Sequence, residues 1–188
     1  ETRNMTFLFC DIRGFTPISE KYKGNPAGLT KLINRFLTRM TDVIIANGGT
    51  IDKFMGDCIM AFWNAPIANP KHRQMAIKSA IEMQKELVKL NKKLIAEELP
   101  EINIGIGINS GDALVGNMGS EQRFDYSVIG DAVNLASRLE SSSKTLGKTL
   151  VIGEGTRETI ENKFKFKYID SIKVKGKTEE IKVYTVKD

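Results

Sequence analysis

The sequence predicts an α+β fold, in which a βαββαβ core with a mainly antiparallel sheet flanked by helices is followed by a C-terminal α/β extension. Three observations predict the core. Residues 5–12 form an apolar run of strand length. Apolar residues recur with helical spacing over 29–44. Residues 102–109 alternate isoleucine with glycine or asparagine, which is the period of a strand.

A hairpin and a second helix complete this core. Residues 51–55 and 58–63 are predicted to pair around Gly56. An apolar stripe after Pro70 predicts a helix that ends before Pro100. The resulting order is that of the ferredoxin-like split βαβ arrangement. In that arrangement the third strand lies antiparallel between the first and the second.

The rest of the chain predicts the extension. Asp131 is predicted to be the N-cap of a helix that follows Gly130. The other predicted elements are strands at 111–119, 126–129, 149–152, 164–175 and 180–186 and a helix at 157–162. At 188 residues, we expect one domain covering 1–188. Because the chain begins with Glu1 and enters a strand within a few residues, we expect it to be cut from a longer protein.

Composition excludes several classes of protein. No apolar run approaches the roughly 20 residues of a membrane span, and the start lacks the pattern of a signal peptide. Two cysteines without a CxxC motif predict neither a disulfide framework nor a zinc site, which favours a cytoplasmic location. The net charge of +5 comes from interspersed charges, as on an ordinary solvated surface, and it also suits an anionic small ligand.

Two aspartates are the main candidates for chemistry. Asp11 ends the first predicted strand and Asp57 precedes the third, so the predicted topology brings them together. A loop at Gly14 then enters a short helix, whose first N–H groups could bind phosphate or could be plainly capped. Paired carboxylates beside a phosphate are what two Mg²⁺ ions require. The pattern predicts phosphoryl or nucleotidyl chemistry.

Several cationic and amide side chains could assist such chemistry. Lys53 lies in an apolar setting close to the second aspartate. Asn134 and Arg138 share one face of a predicted helix, and such donors stabilise charge on phosphorus. A helix face bonded to a neighbouring loop is an equal alternative for that pair. Lys175 and Lys177 could hold a triphosphate or be ordinary surface lysines.

Other polar and apolar residues are interpreted as structural. His72 lies between two cationic residues, without a partner pattern, and is predicted to be at the surface. Cys10 and Cys58 adjoin the two aspartates, but strand alternation turns them to the opposite face, so they are predicted to be core residues. The hairpin residues predicted to pack in the core are Met55, Met60 and Trp63.

Taken together, the motifs resemble the catalytic domain of the class III adenylyl and guanylyl cyclases. The matching stretches are FLFCDIRGFT, KFMGD, INIGIGINSGDALVGNMG, YSVIGDAVNLASRLE and IKVKGK. They occur in the order found in that family and cover nearly the whole chain.

The resemblance implies a phosphate and metal site. Asp11 and Asp57 correspond to the two aspartates that bind divalent cations, which are Mg²⁺ or Mn²⁺. Backbone groups of Ile12, Phe15 and Thr16 correspond to those near the phosphates.

The resemblance also implies roles for five other residues. Asn134 and Arg138 correspond to the transition-state pair, and Lys175 to the triphosphate lysine. Lys53 and Ser127 occupy the base-reading positions. A lysine donates to N1 of adenine, whereas N1 of guanine is itself a donor, so Lys53 favours adenine. A serine discriminates less than a carboxylate, because a hydroxyl both donates and accepts. Serine at this position resembles the bicarbonate-responsive subgroup.

The implied activity is conversion of ATP to 3′,5′-cyclic AMP and pyrophosphate. Two metal ions would support in-line attack of the ribose 3′-hydroxyl on the α-phosphate. In the family, the metal and base-reading residues of one site come from opposite partners, so a homodimer is implied. A regulatory domain is expected upstream.

Three alternatives to this activity remain. They are a guanylyl cyclase, which Lys53 disfavours, a catalytically silent nucleotide-sensing dimerisation module, and an RNA-binding ferredoxin-like sheet. The last lacks the aromatic RNP1 pattern, so no nucleic-acid partner is expected.

Overall fold

One sheet forms the framework of residues 1–174 and 178–186, which are the residues that the computed structural model describes. Its strands are β1 (Thr2–Ile12), β2 (Thr50–Met55), β3 (Cys58–Trp63), β4 (Ile104–Ser120), β5 (Arg123–Ile129), β6 (Leu150–Gly153), β7 (Phe166–Lys173) and β8 (Glu180–Val186). The helices are α1 (Phe15–Lys21), α2 (Pro26–Ala46), α3 (His72–Ala96), α4 (Asp131–Ser142) and α5 (Glu154–Arg157). None of these helices is long and apolar enough to cross a membrane.

The strand order confirms the predicted core. The order along the sheet is β2-β3-β1-β4-β6-β8-β7, and β5 pairs with β4 beside this path. Within the core every pairing is antiparallel, and β3 lies between β1 and β2 as predicted. The pairing of β4 with β6 is parallel. The structure is therefore an α+β fold with a ferredoxin-like core and a C-terminal α/β extension.

Three predicted elements differ in detail. Two strands were predicted over 102–119, but β4 is one continuous strand, because its first part pairs with β1 and its second part with β5. Asp131 is the first residue of α4 rather than its cap, which is Gly130. The helix predicted at 157–162 is instead the single turn α5. Residues 175–177, between β7 and β8, lie outside the described part of the chain.

The core has two parts, one on each face of the sheet. The larger part joins β1, β3 and β4 to α2 and α3, and it includes Leu8, Cys10, Phe36, Met40, Ile77 and Met83. The second part lies between the other face and β5 and α4, and it includes Phe7, Phe9, Phe62, Val128 and Val133. Because both faces are covered, the central strand β1 is buried from Met5 to Cys10.

Most of the hairpin packs as predicted. Trp63 is fully buried, and Met60 is 7% exposed. The prediction for Met55 was wrong, since this residue is 47% exposed. The reason is its position, because it ends β2, the edge strand of the sheet, just before the hairpin turn.

Helix α4 packs directly on β4 because two glycines remove the intervening side chains. A Cβ atom on Gly107 would lie 2.5 Å from the carbonyl oxygen of Ala136 and would also collide with the backbone nitrogen of Glu140. A Cβ atom on Gly105 would collide with the hydroxyl of Ser143 and lie 3.3 Å from the carboxylate of Glu140. The small residues of this alternating strand thus permit the close packing of α4.

His72 is buried rather than at the surface, so that prediction was wrong. Its Nδ1 lies 2.6 Å from Oγ1 of Thr6 in β1. The Thr6 hydroxyl lies 2.6 Å from that of Ser110, which lies 2.8 Å from the hydroxyl of Thr156. The first residue of α3 therefore faces the sheet. Burial, together with the neighbouring Arg73 cation, lowers the pKa of His72 to about 4.

The close approach of α4 predicts the effect of a single methyl group. Gly107→Ala should lower the free energy of unfolding by about 2 to 3 kcal/mol, because the backbone of α4 must move away. Gly116→Ala in the same strand is the control, since no atom lies within 4 Å of a Cβ placed there. Its effect should stay within about 1 kcal/mol. Urea unfolding of both variants measures the difference, and equal effects would contradict this account of the packing.

Burial of neutral His72 predicts a stability that depends on pH. Between about pH 6.5 and about pH 4 the unfolded chain binds a proton at His72 and the folded chain does not. Stability should therefore fall by on the order of 3 kcal/mol as the pH is lowered through this window. Wild-type protein is compared with His72→Gln by urea unfolding at several pH values. Carboxylates titrate in both proteins, so the difference between their free energies of unfolding isolates the contribution of His72. If the two free energies change in parallel with pH, His72 is not buried in its neutral form.

Candidate active site

The two predicted aspartates lie together at the end of β1. Asp57 is in the two-residue turn between β2 and β3, where Gly56 adopts a φ of 65° that glycine accommodates readily. The Oδ2 atom of Asp57 accepts a hydrogen bond of 3.1 Å from the backbone N–H of Ile12. Oδ1 of Asp11 is buried and has no hydrogen-bond partner. The predicted topology thus brought the carboxylates to one place.

The setting of Asp11 disfavours the negative charge of its carboxylate. Burial raises the pKa of Asp11 to about 7. The adjacent carboxylate of Asp57 and the charge of Glu140 contribute to this increase. The pKa of Glu140 is also raised to about 7, by burial and by Asp57, against the opposing effect of the Arg13 cation. Glu140 did not stand out in the sequence. The one sequence feature that could have indicated Glu140 is Gly105. This glycine pairs with Asp11, and its missing side chain lets α4 bring Glu140 close to the strand.

This arrangement fits a divalent cation. A buried carboxylate oxygen without a partner, with further negative charge nearby, gains most from a hard cation with oxygen ligands. Within residues 1–174 and 178–186, no group of three or more histidine, cysteine or acidic side chains is arranged as metal ligands. The candidate ligands are the two carboxylates that meet at the end of β1, Asp11 and Asp57.

The backbone groups predicted to lie near phosphate belong to residues that come just after Asp11 in the chain. Gly14 precedes α1 without a side-chain cap, and Phe15 and Thr16 form the first turn. Their N–H groups have no acceptor within the helix itself. The N–H of Ile12, by contrast, donates to Asp57.

Lys53 and Ser127 form a second group of candidate residues. Oγ of Ser127 donates to Oδ2 of Asp52 over 2.7 Å, and Nζ of Lys53 lies 3.8 Å from Oδ1 of the same aspartate. The side chain of Asp52 is completely buried, whereas that of Lys53 is 47% exposed. The structure therefore joins the two predicted base-reading residues through Asp52, which the sequence did not single out.

Asn134 and Arg138 line a separate cleft of about 630 Å³. Both residues are exposed on α4. The other residues lining the cleft are Asn109, Asp112, Asp131, Ala132, Leu135, Val174 and Ile181. Neither the two metal-site aspartates nor Lys53 is among them. Lys175, the predicted triphosphate ligand, lies outside the described residues.

Comparison with known proteins identifies the family to which this fold belongs. The model of the adenylate and guanylate cyclase catalytic domain matches residues 1–188. The chain belongs to this family. An adenylate cyclase of Anabaena cylindrica is 40% identical to this cyclase domain in an alignment of 193 positions, which covers 99% of the chain and 37% of the relative. Adenylate cyclase 1 of Rhizobium meliloti is 33% identical, over 98% of the chain and 27% of its own length.

Solved structures of both cyclase types are similar to this cyclase domain. The adenylyl cyclase CyaB from P. aeruginosa has a TM-score of 0.92 at 37% identity, over 100% of this chain and 96% of its own. The guanylyl cyclase Cya2 has a TM-score of 0.89 at 35% identity, over 99% of this chain and 92% of its own. Overall similarity therefore does not distinguish adenine from guanine specificity, which depends on individual residues of the site.

Proposed function

We propose that the chain is an adenylyl cyclase catalytic domain, which converts ATP to 3′,5′-cyclic AMP and pyrophosphate. The observation that carries the proposal is the meeting of Asp11 and Asp57 at the end of β1, with one buried carboxylate oxygen left without a partner. The similarity to two adenylate cyclases, at 40% and 33% identity, supports it.

Asp11 and Asp57 would hold two Mg²⁺ ions, for which Mn²⁺ can substitute, and phosphate oxygens would complete the coordination. When bound, the cations supply a lowered pKa of the ribose 3′-hydroxyl and charge compensation for the triphosphate. Backbone N–H groups of Phe15 and Thr16 add donors beside the phosphates. Lys175 is proposed as a triphosphate ligand on family resemblance alone.

Asn134 and Arg138 act at the reacting centre. Asn134 orients the ribose, so that its 3′-oxygen attacks the α-phosphate in line with the departing pyrophosphate. The guanidinium of Arg138 stabilises the charge that develops on the α-phosphate oxygens. Their exposure in an open cleft leaves both side chains accessible to a nucleotide. The proton of the hydroxyl passes to solvent or to a substrate oxygen.

Lys53 and Ser127 read the base. The Lys53 ammonium is a donor only, which matches the N1 acceptor of adenine and opposes the N1 donor of guanine. Guanylyl cyclase activity is the second candidate, and the similarity to Cya2 favours it. The lysine makes adenine the better match.

A homodimer would complete the site. The cleft at Asn134 and Arg138 does not include the carboxylate pair of the same chain. Apolar side chains beside the base-reading residues are also exposed, namely Phe54, Met55, Phe124 and Ile129. Such a patch suits contact with a second copy, which would bring the metal site of one chain to the cleft of the other.

The chain is proposed to be one domain of a longer cytoplasmic or membrane-anchored signalling protein. It spans 37% and 27% of the two curated relatives described above. An upstream domain would then regulate it. A response to bicarbonate is proposed from the serine at position 127 and the resemblance to the bicarbonate-responsive subgroup.

Turnover of ATP and GTP by the purified chain tests the proposed function. With Mg²⁺ or Mn²⁺, cyclic AMP should form from ATP much faster than cyclic GTP from GTP. Asp57→Ala should lower the rate by at least about 100-fold, because the cation loses a ligand. Asp42→Ala, at an exposed carboxylate on α2, is the control and should keep wild-type activity. Nucleotide binding without pyrophosphate release would identify a silent module instead.

Mixing two inactive variants tests the shared sites. Lys53→Ala chains retain the metal aspartates, and Asp11→Ala chains retain the base-reading residues. A heterodimer therefore contains one complete site and one doubly defective site. Equal mixing should restore about a quarter of the wild-type rate, since half of the dimers are mixed and each has one of two sites. Absence of recovery, when size-exclusion chromatography shows mixed dimers, would rule out sites shared in this way.

A further inference from the structure

Asp52 occupies an unusual position beside the base-reading residues. Its side chain is completely buried although it lies on the edge strand β2. It contacts the buried Ser127 and Lys53, whose side chain is 47% exposed. Ser127 donates to Oδ2, and the Lys53 ammonium lies near Oδ1. A buried carboxylate requires such partners, because an unpaired charge away from water is costly.

A β-bulge explains how neighbouring residues reach the same place. On a regular strand, Asp52 and Lys53 would point to opposite faces of the sheet. The register of β2 and β3 shifts at this point: Ile51 pairs with Ala61 and Lys53 with Met60, so Asp52 is the extra residue. Bulges redirect side chains in this manner and are frequent beside active sites. Here the redirected side chain is the carboxylate that holds Ser127.

The hydrogen bond to Asp52 determines what Ser127 can offer to a ligand. A serine hydroxyl has a single proton and two lone pairs. An ionised carboxylate is an acceptor only, so the 2.7 Å contact engages the proton of Ser127. The hydroxyl oxygen then has only lone pairs left for a nucleotide, and it behaves as an acceptor.

We propose that Asp52 is a specificity-determining positioning residue, which fixes Ser127 as an acceptor for the exocyclic amino group of adenine. Lys53 supplies the complementary donor for N1. Guanine presents the reverse pattern, with an acceptor at O6 and a donor at N1. Asp52 thus gives a serine the selectivity that a carboxylate at position 127 would have. This inference rests on the proposed function, since it assigns Ser127 and Lys53 to the base.

The test measures kcat/KM for ATP and for GTP separately and compares their ratio. Asp52→Asn should lower the ATP:GTP ratio by about 10- to 100-fold, because an amide can donate to the serine oxygen and release its proton towards the base. Ser127→Ala should lower the ratio to a similar extent. In the Ser127→Ala background, Asp52→Asn should change the ratio by less than about threefold, since both changes break the same link. Asp42→Asn is the control and should leave the ratio unchanged.

Failure of the inference and failure of the proposed function give different results. If wild-type protein makes cyclic AMP and Asp52→Asn keeps the wild-type ratio within about twofold, the role of Asp52 is overturned and the cyclase function stands. If Asp52→Asn does not fold, as judged by circular dichroism, an unchanged ratio in Ser127→Ala overturns the role equally. If wild-type protein has no cyclase activity, the proposed function fails. The same ratio is then measured from competitive binding of ATP and GTP, which requires no turnover.

Discussion

The antiparallel pairing of β1 with β3 is the contact on which the rest of the molecule depends. It places Cys10 opposite Ile59, so the strand end that carries Asp11 lies beside the turn that carries Asp57. Because β1 is covered on both faces, the burial that stabilises the fold also removes water from Asp11 and raises the pKa of its carboxyl. Folding alone therefore creates a group of acidic side chains whose charges repel one another. A cation with oxygen ligands would relieve that repulsion.

Helix α4 connects the two halves of the proposed chemistry. One side of it rests on the glycines of β4 and presents Glu140 towards the metal-site aspartates. Its exposed side carries Asn134 and Arg138 into the cleft. A helix held this close to a strand has little freedom to shift, since at Gly107 its backbone leaves no room even for one added carbon atom. Backbone packing thus sets the positions of the two side chains that are proposed to act in catalysis.

The sequence predicted the core well because its periodicities were strong. The isoleucine alternation of β4 and the helical stripe of α2 established the topology, and the topology predicted that Asp11 and Asp57 would meet. Asp52 could not be found in this way, since strand alternation gives no sign of a bulge. His72 was misjudged for a similar reason, because its cationic neighbours suggest a solvated surface. Its environment comes from Thr6, which is distant in sequence and adjacent only in the folded chain.

The continuous strand β4 has a consequence for how a nucleotide would be received. The second half of β4 pairs with β5. Ser127 of β5 thereby contacts Asp52 of the edge strand β2. This single hydrogen bond connects two hairpins through residues that are 75 positions apart in sequence. Ser127, which is proposed to read the base, is therefore held in place before any ligand binds, and its loss of conformational freedom belongs to folding rather than to binding. The proposed preference for adenine would then act as soon as a nucleotide binds, without a prior rearrangement of this serine.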